Sequence, residues 1–180
     1  MDFRGNNFPR LPKGSRVLLS LAVVFLGAAV ARAQTAAPTL DPVKEAAAIK
    51  AASGPGDDPA DALAVQQVCT ACHSSSQFLR TPRSSSRWEQ VFGQMAQFGA
   101  NPDDEQVDRI VRFFQHNLTV VNVNTSPLEE LAPTLQVGPD TATAIVMRRA
   151  QKPFTGIADL AGISGVNRDV LEHLKNRLQF

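Results

Sequence analysis

The feature that most constrains this chain is its cysteine pair, in the segment Cys69-Thr70-Ala71-Cys72-His73. Such a pair is compatible with a zinc site, a redox dithiol, a disulfide or a cofactor tether. A structural zinc site needs four nitrogen or sulfur ligands, usually from two separated pairs, and this chain has no second cysteine pair. A thioredoxin-type dithiol belongs to an α/β fold, whereas no strand pattern is visible here. A disulfide across so short a loop would stabilise the fold little.

The remaining alternative uses both cysteines and the histidine, because C-x-x-C-H attaches a c-type haem. The two thiols form thioethers with the vinyl groups, and the histidine becomes an axial ligand of the iron. We therefore predict one covalent haem c on Cys69 and Cys72, with His73 as a metal ligand. Met95, 22 residues after His73, is the predicted second axial ligand, and a thioether there would raise the reduction potential. His116 is the alternative ligand, and Met95 would then be a core residue.

Residues 1–33 have the pattern of a secretory signal peptide. Four basic residues precede an uncharged apolar run over 17–31, and Ala31-Arg32-Ala33 is a cleavage site of the A-x-A type. The run has 15 residues, fewer than the ~20 of a membrane-spanning helix, so a membrane anchor is the less favoured interpretation. We predict an exported, periplasmic protein with no stable membrane insertion after cleavage. The net charge of +1 indicates neither a nucleic acid nor a membrane partner.

The rest of the chain reads as an all-α protein in three parts. Residues 34–60 are rich in Ala, Pro and Gly and are predicted to be a flexible tether with at most one loose helix. Residues 61–118 predict three helices. The apolar positions of the last two are Trp88, Val91, Phe92 and Met95, then Val107, Ile110, Val111, Phe114 and Leu118. This is little core for a domain of that size, and a haem would supply the missing apolar body.

Residues 119–180 contain a repeated pattern of helix, small turn and helix. The turns at Gly138 and Val166 are equivalent and lie 28 residues apart. A repeat of this length, present only twice, predicts a duplicated helical hairpin and not a solenoid array.

Residues 62–118 resemble small class I cytochromes c, and Cys69, Cys72, His73, Trp88 and Met95 carry the resemblance. The family implies His and Met as axial ligands and one-electron transfer through an exposed haem edge. The implied partner is a redox protein, either a periplasmic dehydrogenase or a component of an oxidase chain. An electron carrier of this kind is not an enzyme. A peroxidase would need an open sixth position and distal acid–base residues, and none is evident in the sequence.

Residues 121–178 resemble the tandem helix-hairpin-helix domain of competence-type DNA receptors. They are also similar to the small extrinsic subunit of photosystem II, which shares the fold without reading DNA. In the DNA-binding members each hairpin reads Gly-hydrophobic-Gly, whereas here the hairpins are Gln136-Val137-Gly138 and Gly165-Val166-Asn167. Residues 119–180 hold six basic and six acidic residues, and DNA binding usually requires a basic face. We therefore predict a docking module; the alternative is an envelope DNA-binding protein with haem as redox sensor or stabiliser.

Overall fold

The computed structural model describes residues 40–180, a mostly helical fold with one short pair of strands; the predicted signal peptide and residues 34–39 lie outside this range. The helices are α1 (Pro42–Ala52), α2 (Pro59–Cys69), α3 (Ser76–Leu79), α4 (Ser85–Gln97), α5 (Asp104–Asn117), α6 (Leu128–Leu135), α7 (Pro139–Gln151), α8 (Ile157–Leu160) and α9 (Arg168–Leu174). Strands β1 (Val121–Asn122) and β2 (Leu178–Gln179) pair in parallel. Between residues 40 and 180, no helix combines the length and apolar character needed to span a membrane.

The first hydrophobic core lies among helices α1 to α5. Its buried members come from all five helices and from Leu118, which follows α5; they include Ile49, Val65, Phe78, Trp88, Ile110, Phe113, Phe114 and Leu118. Of the five apolar positions predicted for the last helix of residues 61–118, which is α5, Ile110, Phe114 and Leu118 are buried in this core. Val107 is 40% exposed and Val111 is only partly buried. Both valines line the cavity described below.

Helix α1 corrects the prediction that residues 34–60 form a flexible tether. Asp41 caps the helix by accepting hydrogen bonds from the backbone of Val43 and Lys44, and Pro42 occupies its first turn, where proline costs no hydrogen bond. Ile49 is 1% exposed and packs in the first core. Ile49 and the hydrogen bond that the Glu45 carboxylate accepts from the Ser75 N–H anchor this alanine-rich helix to the rest of the unit.

The second core lies within residues 121–178. It is aliphatic except for Phe154, and its fully buried members include Val123, Leu131, Leu135, Ile145, Leu160, Leu171 and Leu174. Helical spacing in the sequence predicts Val170, Leu171, Leu174 and Leu178 as the inward positions of the last helix. All four are buried, but α9 ends at Leu174 and Leu178 lies in β2. Strand β2 brings the end of the chain back to the beginning of this unit, where Val121 pairs with Leu178.

The joint between the two cores is tied by backbone hydrogen bonds on both sides. The Leu118 carbonyl accepts from the Arg83 N–H at 3.1 Å and from the Trp88 indole at 3.0 Å. The Val120 N–H then donates to the Arg83 carbonyl, and the Val121 N–H donates to the Arg177 carbonyl. Residues 118–121 therefore pair first with the loop before α4 and then with the chain end.

A polar network crosses the same joint and is centred on Asp57, in the loop between α1 and α2. Its carboxylate accepts from the Gly54 N–H at 2.8 Å, from His116 Nδ1 at 2.7 Å and from Asn117 Nδ2 at 2.7 Å. Asn117, which is 0% exposed, accepts in turn from His173 Nε2 of α9 at 2.7 Å. Burial opposes ionisation of Asp57, but these hydrogen bonds outweigh it and hold the pKa of its carboxyl below the usual range.

Candidate functional site

The cysteine motif lies at the end of α2 and in the turn that follows. Cys69 is the last residue of the helix, and the Thr70 hydroxyl closes the helix by donating to the Gln66 carbonyl. Cys72 stands in the turn and is exposed. Burial raises the pKa of the Cys69 thiol to about 12, so this thiol is neutral at physiological pH. A partly buried, neutral thiol is a poor ligand for a free metal ion, because the thiolate is the form that binds metals.

His73 is oriented by the short turn after the motif. Its Nδ1 donates to the Ser74 carbonyl at 3.2 Å, which leaves Nε2 with its lone pair free to act as a ligand. The imidazole also meets the ring of Phe78 edge to face, with 6.1 Å between the centroids. Backbone and core together therefore set the direction in which the free nitrogen points.

Helix α1 braces this turn from outside the motif. The Glu45 carboxylate accepts from the Ser75 N–H at 2.7 Å, and Glu45 and Ser75 are 7% and 2% exposed. Hydrogen bonds from Ser75 hold the pKa of the Glu45 carboxyl below its usual range. Because Ser75 follows His73 by two residues, Glu45 fixes the backbone that carries the predicted iron ligand.

The motif opens onto a cavity of about 490 Å³. All four predicted haem-binding residues, Cys69, Cys72, His73 and Met95, are among the residues that line it. Most of the remaining wall is aromatic or aliphatic and comes from α3, α4 and α5; it includes Phe78, Trp88, Val91, Phe92, Ile110, Val111 and Phe114. The apolar stripe predicted on α4 thus faces this cavity, where only Trp88 is buried and Val91, Phe92 and Met95 are partly exposed.

Four aromatic rings of the wall, those of Phe78, Trp88, Phe92 and Phe114, form one contact cluster. Trp88 and Phe92 each meet Phe114 edge to face, at 4.7 and 5.0 Å between centroids, and Phe78 contacts Phe114 at 5.5 Å. Edge-to-face packing holds aromatic side chains in defined orientations. The wall is therefore preformed, as is usual for cofactor cavities.

Two candidates for the second axial position differ in where they lie. Met95 lines the cavity, whereas His116 is not among its lining residues and is engaged by Asp57 through Nδ1. Met147, on α7, is 62% exposed and also lies away from the cavity. Among the methionines of residues 40–180, Met95 is thus the one that lines the same cavity as His73.

The residues of the cavity fit a covalent haem. Its volume falls within the ~300–1,000 Å³ typical of small-molecule and cofactor sites. Two thiols, one imidazole with a free nitrogen and one thioether face an otherwise largely apolar space, which is the donor set that a c-type haem requires. In residues 40–180, no three His, Cys, Asp or Glu side chains gather as a metal-binding group.

The hairpins of the second unit keep a left-handed residue at their first position. Gln136 has φ 54° and Gly165 has φ 87°, and Gln136 is the one residue other than glycine with positive φ in the described chain. The two hairpins touch, because the Thr141 hydroxyl donates to the Ser164 carbonyl at 3.3 Å. An acid stands in the first turn of each following helix, Asp140 in α7 and Asp169 in α9.

Three of the six basic side chains of this unit are used inside it. Arg149 donates to the carbonyls of Val123 and Ser126 at 2.9 and 2.7 Å. The Arg148 guanidinium lies over the Phe154 ring at 5.3 Å. Burial lowers the pKa of Arg177, which lies against His173. The basic face that DNA binding requires is correspondingly reduced.

Comparison with known proteins identifies this second unit. A family model described as a helix-hairpin-helix motif matches residues 116–179. The C-terminal unit is therefore a helix-hairpin-helix domain, as the sequence predicts. No curated protein and no solved structure matches the chain. The cytochrome c resemblance of residues 62–118 stays a prediction, because the family match covers only the end of α5 and the unit that follows.

Proposed function

We propose that the chain is an exported c-type cytochrome with one haem, which transfers single electrons between a periplasmic dehydrogenase and a respiratory acceptor. The observation that carries this proposal is that Cys69, Cys72, His73 and Met95 line a single apolar cavity. A haem held there would supply reversible one-electron chemistry at its iron. The protein would act as a carrier and not as an enzyme, because no bond of a substrate is made or broken.

The roles of the four residues follow from their chemistry. Cys69 and Cys72 would hold the group covalently, and His73 would bind the iron through the nitrogen that its Ser74 contact leaves free. Met95 would bind the opposite face. Because Cys72 is exposed and Phe98, another lining residue, is 82% exposed, the cavity reaches the protein surface. Electron transfer to a partner needs such access, since outer-sphere transfer occurs at a haem edge.

Covalent attachment is tested by expressing the full chain in a bacterial host that matures c-type cytochromes. The wild-type chain should retain its haem after denaturation and acidic solvent extraction. Cys69→Ala and Cys72→Ala should each leave one thioether, which shifts the pyridine haemochrome band, and the double variant should lose covalent haem. Retention of covalent haem by the double variant, or none in the wild type, would refute the proposal.

Ligation is tested on the same haem-loaded chain by optical spectroscopy of the oxidised form. Met95→Ala should abolish the long-wavelength sulfur-to-iron charge-transfer band and lower the reduction potential. Met147→Ala is the matched control, because this methionine is exposed and remote from the cavity, and it should change neither property. His116→Ala should also leave the band intact. Loss of the low-spin spectrum in His116→Ala, with no change in Met95→Ala, would reassign the ligand.

The helix-hairpin-helix domain would serve as the docking module for a redox partner protein. Internal use of Arg148, Arg149 and Arg177 and the acids next to both hairpins favour a protein partner over a phosphate backbone. Export to the periplasm rests on the signal-peptide pattern of residues 1–33. Cell fractionation tests it, and recovery of the uncleaved chain from the cytoplasm would contradict it.

A second candidate function, envelope DNA binding with haem as sensor or stabiliser, is favoured by one observation. Both hairpins keep the left-handed first residue and lead into a helix N-terminus, the geometry that offers backbone N–H groups to a phosphate. Fluorescence anisotropy of a labelled 20-base-pair duplex at low salt tests this function. Binding that weakens steeply as salt rises would support it, and no binding at low ionic strength would exclude it.

A further inference from the structure

The cavity carries a charge asymmetry that the cysteine motif does not explain. Its only charged lining residues are Arg83 and Arg87; no Asp or Glu lines it. Within residues 40–180 neither arginine forms an ion pair, whereas Arg109 and Arg112 of the same unit are both paired with Asp61. Two permanently charged guanidinium groups at an apolar cavity, with no carboxylate among the described residues paired to them, favour an anionic group there.

Arg83 lies in the loop just before α4, and Arg87 lies in the first turn of that helix. The Arg83 backbone donates to the Leu118 carbonyl and accepts from the Val120 N–H, so its position is fixed from both sides. Its guanidinium lies over the Trp88 ring at 4.8 Å and donates through Nη1 to the Thr81 carbonyl at 2.9 Å. Arg87 donates through Nη1 to Gln90 Oε1 at 2.7 Å. Each guanidinium has five donors, so most of them remain available.

We propose that Arg83 and Arg87 form a carboxylate-binding edge of the cavity that binds the propionates of the haem and thereby sets its orientation. This inference rests on the proposed function. A haem c presents two anionic propionates in addition to the carbons that bind the cysteines, and guanidinium binds carboxylate in a bidentate, geometrically specific way. The cysteines, at the end of α2 and in the turn after it, and the arginines, before and within the first turn of α4, would then hold the macrocycle at separate points.

The arginines also act on the iron through their charge. A fixed positive charge near the iron disfavours the oxidised state, which is the more positive one, so it raises the reduction potential. It also favours ionised propionates and lowers their pKa. Both properties of the haem should therefore change together when a guanidinium is removed.

The test measures the midpoint potential of the haem-loaded full chain between pH 4 and 9 by spectroelectrochemistry. Arg87→Gln and Arg83→Gln should each lower the potential and move the propionate-linked inflection to higher pH. We expect a shift of roughly three- to tenfold in proton concentration, at the low end of what an opposite charge produces because Arg87 is exposed. Arg87→Lys, which keeps the charge, should restore most of the potential.

Arg80→Gln is the matched control, since Arg80 is exposed and does not line the cavity. It should leave both the potential and the inflection unchanged. Equal shifts in Arg80→Gln and Arg87→Gln would show a non-specific charge effect and overturn the inference. If Arg83→Gln fails to fold, the comparison of Arg87→Gln with Arg80→Gln still tests the inference, because both Arg80 and Arg87 are exposed.

The two proposals fail in different ways. A wild-type chain that attaches no haem overturns the proposed function and this inference with it. If the wild-type chain attaches haem covalently but both arginine variants show the same pH profile of the potential as the wild type, the inference alone is overturned.

Discussion

Replacing Asp57 by alanine should destabilise the whole described fold, because this carboxylate ties the loop between α1 and α2 to α5, and Asn117 of α5 continues the network to α9. Its side chain is 5% exposed and accepts hydrogen bonds from Gly54, His116 and Asn117. The substitution removes all three acceptor contacts at once. The expected loss of stability depends on whether each of the three donors can find another hydrogen-bond acceptor.

The three donors differ in that respect. Asn117 Nδ2 keeps its bond to the Phe113 carbonyl at 3.0 Å, and His116, which is 15% exposed, can turn to water. The Gly54 N–H loses its side-chain acceptor inside a partly buried loop. Hydrogen bonds to a charged group contribute about 1.5–3 kcal/mol each before such compensation, so we expect a net loss of about 3 kcal/mol. That corresponds to a fall in Tm of about 6–12 °C for a chain of this size.

Thermal unfolding followed by circular dichroism at pH 7 measures this loss on haem-loaded protein. Asp108→Ala is the matched control, because Asp108 is an exposed acid on α5 whose side chain makes no hydrogen bond or ion pair within residues 40–180. It should change the free energy of unfolding by less than about 0.5 kcal/mol. A fall in Tm for Asp57→Ala no larger than for Asp108→Ala would refute the role given to this network.

The pH dependence gives an independent check with a defined sign. The pKa of Asp57 is lower in the folded chain than its ordinary value, so its contribution is complete above that ordinary value and is lost as pH falls through the folded pKa. The Tm difference between wild type and Asp57→Ala should therefore be constant near neutrality and shrink below about pH 4. A difference that grows on acidification would contradict the assignment.

Three further substitutions test other parts of the fold by chemical denaturation. Asp61→Ala should cost about 2 kcal/mol, since it removes a 1% exposed carboxylate from Arg112 and leaves a half-exposed guanidinium behind; no loss would mean that the pair contributes nothing. Gln136→Gly should stabilise the fold by about 0.5–1 kcal/mol, because glycine adopts φ 54° without strain; a loss of stability would contradict this. Gly165→Ala should cost more than about 2 kcal/mol, because φ is 87° and a Cβ would meet Thr141; an unchanged midpoint would refute this.

Much of the architecture follows from periodicity alone. The apolar stripes on α4, α5 and α9 are placed correctly because helical spacing selects one face whatever that face meets. On α4 and on part of α5 the partner turned out to be a cavity, which explains why Met95, Val107 and Val111 are less buried than core residues. Met95, Cys69, Cys72 and His73 lie at one cavity because Phe78, which follows the C-x-x-C-H turn, and Trp88 of α4 both pack against Phe114.

Other features depend on contacts that are distant in sequence. Asp57 meets His116 and Asn117 across about 60 residues, and no local pattern marks such pairs. Glu45 bonds Ser75 in the same way, and the only signal for it was an acid one helical turn before Ile49 in an alanine-rich segment. The arginines of the cavity edge stand in a serine-rich loop and a helix start, where sequence reasoning assigned them no role.

The shared backbone bonds at residues 118–121 limit how this chain can be dissected or recombined. The predicted boundary between residues 118 and 119 separates Leu118 from Val120, although the Leu118 carbonyl accepts from the Arg83 N–H and the Val120 N–H donates to the Arg83 carbonyl. A cut there would leave the Trp88 indole bonded to a chain terminus. It would also remove the hydrogen bond from the Val120 N–H to the Arg83 carbonyl in the loop before α4. A transplant of the helix-hairpin-helix domain onto another carrier should therefore keep residues 121–123, which belong to the second core and pair with β2, and should supply new partners for the backbone groups of Arg83 that it frees. In this sense the two units are distinct as packed cores but not as interchangeable modules.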